Sequence, residues 1–435
     1  MLTITSLDAR TFSGGHNSTE IRFMENTTKI EILEKALAQG GGILRLKPNW
    51  VPRAFCVPGR RIKLHPDDYY YLGGERGGID ERWFSSTTPA DNGPKTGKDE
   101  GLSKIVYQED GGEAQFVLLK DAVELLGERI IGRRLWDKFH AWTMFSKFFD
   151  NKGPLPHHIH HREQHARLTG QAGKPEAYYF PPQVNNHGGD FPYTFFGLNP
   201  GTTKEEVLEC LKNFTKGDNK ITNLSHAHRL EPGTGWDVPP GVLHAPGSLC
   251  TYEPQTASDV YAMYQSLTGD AIISEDLLWK NTPADKIGDF DHLLDVIDWD
   301  LNVDPEFVKN RFMRPRPVRD AAEMKGYVEN WIVYKSPAFS AKELTVFPKQ
   351  SVLIRDEAAY GTIMMQGHGK MGAWNIETPA LIRYNELTFD EYFVTEDAAK
   401  KGVLITNESD SDPIVMLKHF GPENPEWVAW NAKNA

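Results

Sequence analysis

The chain has 435 residues, 39% of them hydrophobic and 25% charged, an ordinary globular composition that excludes large-scale disorder and suggests two or three compact units or two decorated barrels. Sixty acidic against 48 basic residues leave a net charge of −12, so the field that draws proteins onto phosphate backbones is missing and nucleic acid is not an expected partner. No run of about 18 apolar residues occurs, which excludes a helical membrane span.

The first twenty residues, MLTITSLDARTFSGGHNSTE, show no basic stretch followed by an apolar one, so no secretory signal is read there. Cys56, Cys210 and Cys250 are odd in number and far apart, and they read as reduced thiols in a cytoplasmic protein. Segment 30–39, IEILEKALAQ, has the apolar spacing of one helix face and is stopped by Gly40, Gly41 and Gly42. FVLL (116–119) and EAYYF (176–180) then read as strands. TTKEEVLECLKNF (202–214) reads as a helix with a threonine cap, acids in its first turn and Val207, Leu208 and Leu211 on one side. DVYAMY (259–264) is strand-like, and EDLLWK, DFDHLLDVIDW and DPEFVKNRF make 275–312 helical.

From 331 to about 422 the pattern returns to alternation, in WIVYKSP, LTVFPKQSVLIRD, GTIMMQGHGKMGAWNI, DEYFVT and IVMLKHF. With 38 Gly and 28 Pro spread along the chain, these short strands and frequent turns predict a mainly β fold of two jelly-roll barrels linked by a helical region. The expected division is an N-terminal region plus first barrel over 1–265, a helical linker over 266–330 and a second, metal-free barrel over 331–435, which contains only the widely separated His368 and His419.

The chemistry concentrates in the first half. GPLPHHIHHREQHARL (153–168) holds five histidines within 157–165. Strand geometry puts residues i and i+2 on one face, so His158 and His160 project together and can share an ion at ~2.1 Å; the opposite parity, His157, His161 and Glu163, is equally allowed by geometry alone. A second segment, GTGWDVPPGVLHAPG (233–247), spaces Gly233, Pro239, Gly241 and His244 as the second cupin motif does, and predicts a hairpin whose returning strand aims His244 inward. Glu163 follows His160 too closely to supply the carboxylate of the first cupin motif. Glu176, opening the EAYYF strand, is the better donor if a hairpin is inserted after His160. Three imidazoles and one carboxylate leave coordination positions open, as a catalytic metal requires.

In order, DERWFSS (80–86), the passage LLGERIIGRRLWDKFHAWTMFSKFFDNKGPLPHHIHH (125–161), GKPEAYYF, FGLNPGTTKEEVLECLKNF and LEPGTGWDVPPGVLHAPGSLCTYEPQTASDVYAMY resemble segments of the type I phosphomannose isomerase family of cupins, with gaps, over about 75–265. The resemblance implies a metal site of His158, His160, Glu176 and His244, with Lys174 beside the ion and Glu253 as an active-site acid. It implies one divalent ion, zinc first, with manganese, iron, nickel or cobalt as other candidates. Two departures stand out: the family's metal-binding glutamine is His158 here, and its catalytic arginine is replaced in SDVYAMYQ by Ala262 or Met263, with Arg229 a candidate to fill its role.

The expected activity is aldose–ketose isomerisation of a sugar or sugar phosphate through an enediol, with Glu253 as base and Lys174 as donor to an enediol oxygen. A carbohydrate is the expected partner, and a homodimer is allowed. The alternatives are a cupin dioxygenase, which uses the same ligand set with a redox metal, and a non-catalytic sugar-binding cupin. Arg60, Arg61 and Arg82 could bind phosphate, but no spacing places them near the ion. Tyr69, Tyr70, Tyr71 and the WVAW run (427–430) read as packing.

Overall fold

The computed structural model describes residues 26–185, 191–269 and 271–434; the opening segment read above for a leader lies outside the described residues. The chain is mainly β, and its large sheets stack in layers. One sheet of five strands (Tyr193–Phe196, His226–Arg229, His244–Ala245, His158–Ile159 and Ala262–Met263) faces a sheet of seven. The seven-stranded sheet runs Phe312–Met313, Gly235–Val238, Glu176–Tyr179, Thr251–Thr256, Met144–Phe149, Gly78–Phe84, Asn49–Arg53. Its far side packs on a nine-stranded sheet, which in turn is covered by four short strands from 351–407. These are the two expected barrels, stacked through their large sheets.

Period-two alternation explains the stacking. In Met144–Phe149 every residue is buried, yet Met144 and Phe148 join the central core between the large sheets while Phe145 and Phe149 belong to clusters on the opposite face. Ala177 and Tyr179 join that central core, with Trp331, Val333 and Leu417 from the second barrel. The Tyr252 hydroxyl, on the same face, meets His419 Nδ1 at 2.9 Å. Gly361 makes the close approach possible: a Cβ there would lie 2.1 Å from His419 Nε2 and Ser85 Oγ. Strand Ile43–Lys47 pairs with Glu391–Val394 in the nine-stranded sheet.

The helix predicted at 30–39 runs Asn26–Gly40, buries Ile32, Leu33 and Ala36, and ends where Gly41 and Gly42 take positive φ. Lys204–Lys212 carries the full capping box: Thr203 Oγ1 accepts from the Glu206 N–H and Glu206 accepts from the Thr203 N–H. This helix and Phe290–Val296 pack together on the outer side of the five-stranded sheet, through Val207, Leu211, Leu293 and Leu243. The helical segments between 275 and 311 thereby brace the sheet that carries the histidines. Among the described residues no helix is long and apolar enough to cross a membrane.

Candidate metal centre and charged cavity

The short strand His158–Ile159 pairs with His244–Ala245, His158 directly opposite His244. The ring nitrogens of His158, His160 and His244 lie within 4.8 Å of one another, and all three side chains are buried. The turn before His244 works differently from a hairpin. Gly235–Val238 belongs to the seven-stranded sheet and His244–Ala245 to the five-stranded one, so Pro239–Gly241 carries the chain across the barrel. Gly241 has φ +86°, a Cβ there would meet Asp298 at 2.9 Å, and its N–H donates to the His160 carbonyl at 2.8 Å. The motif's glycine therefore holds the backbone of a neighbouring histidine. Between His160 and Glu176 the expected hairpin is instead a helical turn, Glu163–Ala166, followed by a 3-10 turn.

Each ring is oriented from behind. Nδ1 of His158 faces the Pro156 carbonyl at 2.9 Å, that of His160 the Val260 carbonyl at 2.7 Å, and that of His244 the Val242 carbonyl at 2.8 Å. A carbonyl only accepts, so each Nδ1 carries the proton and each neutral ring presents a lone pair at Nε2. Burial keeps the His158 and His160 rings neutral: it pushes His158 well below the ordinary imidazole value and His160 down to about 4. The other parity is used elsewhere. His157 Nε2 meets Ser225 Oγ at 2.7 Å, and His161 is buried, with both rings held neutral by burial at about 3.

Glu176 projects from the facing sheet. Its Oε2 lies 2.9 Å from His160 Nε2 and its Oε1 lies 3.1 Å from His244 Nε2. The His244 Nε2 atom is buried with no hydrogen-bond partner. A lone pair and a carboxylate oxygen at that separation repel unless a cation lies between them. Three such nitrogens and one carboxylate are a donor set that fits a divalent ion.

Beside this set, the inward face of the seven-stranded sheet is lined with charge: Glu176, Glu253, Lys147 and Glu81 come from four successive strands, and Arg53 from the edge strand. Lys174 Nζ lies 2.8 Å from Glu176 Oε2, 3.4 Å from Glu253 Oε1 and 3.0 Å from His160 Nε2. Lys147 reaches Glu81 at 3.1 Å and Glu253 at 3.4 Å. Arg53 holds both oxygens of Asp259, at 3.0 and 3.1 Å, and Glu81 at 3.2 Å. Burial and the neighbouring Glu176 raise Glu253 to about 8 despite Lys147 and Lys174. Burial also works to raise Glu176, but the His160 and Lys174 contacts outweigh it and hold this acid well below its ordinary range. Tyr178 donates to Glu176 from the same strand. The cavity is completed by Phe55, Leu155, Pro246, Tyr261 and Met263.

All six residues singled out in the sequence, His158, His160, Glu176, His244, Lys174 and Glu253, converge here. Four charged neighbours were not singled out: Arg53, Glu81, Lys147 and Asp259. Lys147 and Glu81 had a signal, each being a charge on the apolar side of an otherwise buried strand. Arg229 is exposed and lies over the Phe191 ring, and Arg61 and Arg82 are bound to Asp150 and Asp390. A second cavity of about 530 Å³, lined by Thr87, Lys120, Trp142 and Gln171, lies apart from the histidines and shares only Asp259 with this site.

No protein-family model and no curated protein sequence matches the chain. Solved structures do. Mannose 6-phosphate isomerase from Bacillus subtilis is 15% identical with a TM-score of 0.56, over 87% of this chain and 99% of that one. Phosphomannose isomerase from Salmonella typhimurium, as a lysine-to-alanine variant, is 11% identical with a TM-score of 0.56, over 88% of this chain and all of the other. A mannose 6-phosphate isomerase bound with zinc and yttrium gives the same figures. At these identities the likeness establishes the fold: the chain has the cupin architecture of the phosphomannose isomerases.

Proposed function

We propose that the protein is a metal-dependent aldose–ketose isomerase, with His158, His160, Glu176 and His244 holding one divalent ion, zinc in the first instance. The zinc-bound structural neighbour supports that choice of ion, and the donor chemistry accepts manganese, iron, cobalt or nickel as well. One observation carries the reading: a buried acid tuned toward neutrality and a lysine ammonium stand in the same cavity as three lone pairs aimed at one point. Bound there, the ion would polarise the carbonyl and hydroxyl oxygens of the sugar and make the intervening C–H acidic.

The chain's own groups do the rest. Glu253, ionised, accepts the proton from C2 of the aldose and returns it to C1 of the enediol, giving the ketose; the reverse reaction uses the same acid. Its elevated pKa suits both halves, because it takes a proton readily near neutral pH and gives it up again. With His160 Nε2 committed to an ion, the Lys174 N–H that faces it would be free to donate to a substrate oxygen. Lys147 bridges Glu81 and Glu253 and fixes the base in place. A base and an ammonium beside the ion are what proton transfer between C1 and C2 requires, which favours isomerisation over oxygenation.

The test is proton exchange. Metal-loaded protein is incubated in deuterated water with a panel of aldoses and ketoses, free and phosphorylated, and deuterium at C1 or C2 is read by NMR. Uptake accompanied by the isomeric sugar supports the reading; no uptake by any member of the panel removes it.

A further inference from the structure

We infer that the site takes an unphosphorylated sugar, an inference that rests on the isomerase reading and narrows its substrate. The argument starts from the cations. Among the described residues lining the cavity, Arg53, Lys147 and Lys174 carry positive charge, and each is already held by two carboxylates. Arg53 is the most committed. Its two arms bind both oxygens of Asp259, one of them also reaches Asn92 Oδ1 at 3.0 Å, and its Nε donates to Glu81. A phosphate dianion needs charge-assisted donors, for which a bidentate guanidinium is best suited. Recruiting Arg53 would strand the buried carboxylate of Asp259, and a buried charge left without its partner is strongly unfavourable. Four carboxylates, Glu81, Glu176, Glu253 and Asp259, also face the incoming group.

The same wall suits neutral hydroxyls. Each paired carboxylate keeps unused lone pairs that accept from an O–H, and the ammonium groups donate without losing a partner. Apolar and aromatic groups, Phe55, Leu155, Tyr261 and Met263, line the cavity beside the charged ones. Charged and apolar groups together match a sugar ring, which has hydroxyls at its edge and C–H groups on its face. Lys280 at the rim gives phosphate no better anchor, being 3.1 Å from Asp91 and 4.7 Å from the centre of the Tyr261 ring.

The decisive measurement compares metal-loaded protein on C2-deuterated mannose and glucose with the same sugars bearing a 6-phosphate, reading loss of deuterium to water as kcat/KM. We expect the free sugar to exceed its phosphate by at least 100-fold. A phosphate preferred over its free sugar overturns the inference and leaves the isomerase reading intact; exchange with neither removes both. A second measurement uses Asp259→Asn, which releases Arg53 from its ion pair. The ratio of phosphate to free-sugar rates should rise at least tenfold, and an unchanged ratio in a folded variant overturns the argument from Arg53. Should the variant fail to fold, the wild-type comparison decides alone.

Discussion

Both barrels bury a cluster of charge, and the two clusters are built to opposite ends. In the second barrel Glu329, Asp356 and Glu426 face Arg319, Lys342 and Lys418: Lys342 and Lys418 lie 2.7 and 2.8 Å from Asp356, and Arg319 lies 3.0 Å from Glu426. The charges match in number, and aromatic rings cover the ammonium groups, Trp331 at 4.8 Å from Lys342 and Tyr360 at 5.2 Å from Lys418. In the first barrel four carboxylates face three cations, three imidazole lone pairs point at one spot, and a cavity runs among them. A balanced, ring-covered cluster is a structural element. A cluster that pushes one acid, Glu253, up to about 8 and leaves three lone pairs pointing inward is a site, because a further cation would satisfy the lone pairs and favour the ionised acid.

The sharpest way to break that contrast is to remove one charge from each cluster. Glu253→Gln keeps the shape and removes the base, so kcat should fall at least 10³-fold while metal content, read by elemental analysis, stays at one per chain. Retained turnover would reduce Glu253 to a packing residue. Lys418→Met should do the reverse. It removes one of the cations that hold Asp356 and Glu329 and leaves the buried cluster with excess negative charge, lowering stability by about 3 kcal/mol in urea unfolding, with kcat of the folded protein unchanged. Loss of turnover in a stably folded Lys418→Met would show that the second cluster takes part in the chemistry.

Much of this contrast is written locally in the sequence, and some is not. The histidine pair, the glycine–proline turn and the glutamate opening a strand all rest on short-range geometry, which is why those four positions could be named from spacing and resemblance. The helix caps at Thr203 and Gly41 are equally local. Arg53 and Asp259 are 206 residues apart, and nothing in NWVPR or ASDV says that they meet. The same holds for Ile43–Lys47, whose apolar pattern fits a strand of either barrel and whose partner is decided by the fold. Pro239–Gly241 reads as a hairpin in the sequence because a tight turn looks the same whether the chain returns to its own sheet or crosses to the next, as it does here.

Acid should also separate the two regions. Burial depresses His157, His158, His160 and His161 in the folded, metal-free protein, whereas the unfolded chain takes up protons near pH 6.5. Between pH 6.5 and about 4 the unfolded state therefore binds more protons, and stability falls as pH falls. Each such histidine contributes at most about 1.4 kcal/mol per pH unit. Glu253 works the other way: its raised folded pKa favours the folded state at low pH, and that contribution is lost between pH 4.5 and about 8. Glu391, also raised to about 8, and Asp80 act with Glu253, while His419, depressed to about 3, acts with the other histidines; five histidines outweigh three acids below pH 6, so urea midpoints of metal-free protein should drop on acidification. His157→Asn should flatten the slope, since His157 lies outside the metal set and its ring meets only Ser225 by hydrogen bond. An unaltered slope would place the acid sensitivity elsewhere.

The smallest effect is expected where a matched pair is removed whole. Lys418→Met combined with Asp356→Leu deletes one cation and one anion, leaving Glu329 and Glu426 against Arg319 and Lys342, still balanced. Replacing a buried ion pair by apolar groups of similar volume is often neutral or even stabilising. The double variant should then lie within about 1 kcal/mol of wild type although Lys418→Met alone is strongly destabilised, a coupling of at least about 2 kcal/mol in a double-mutant cycle. A double variant as unstable as the sum of the singles would mean that the rings around Lys418 stabilise it more than its charge partners do. The contrast between the barrels would then lie in aromatic packing. The corresponding pair in the first barrel, Lys147 with Glu253, has no such exit: its removal also deletes one charge of each sign, but it takes the proposed base with it.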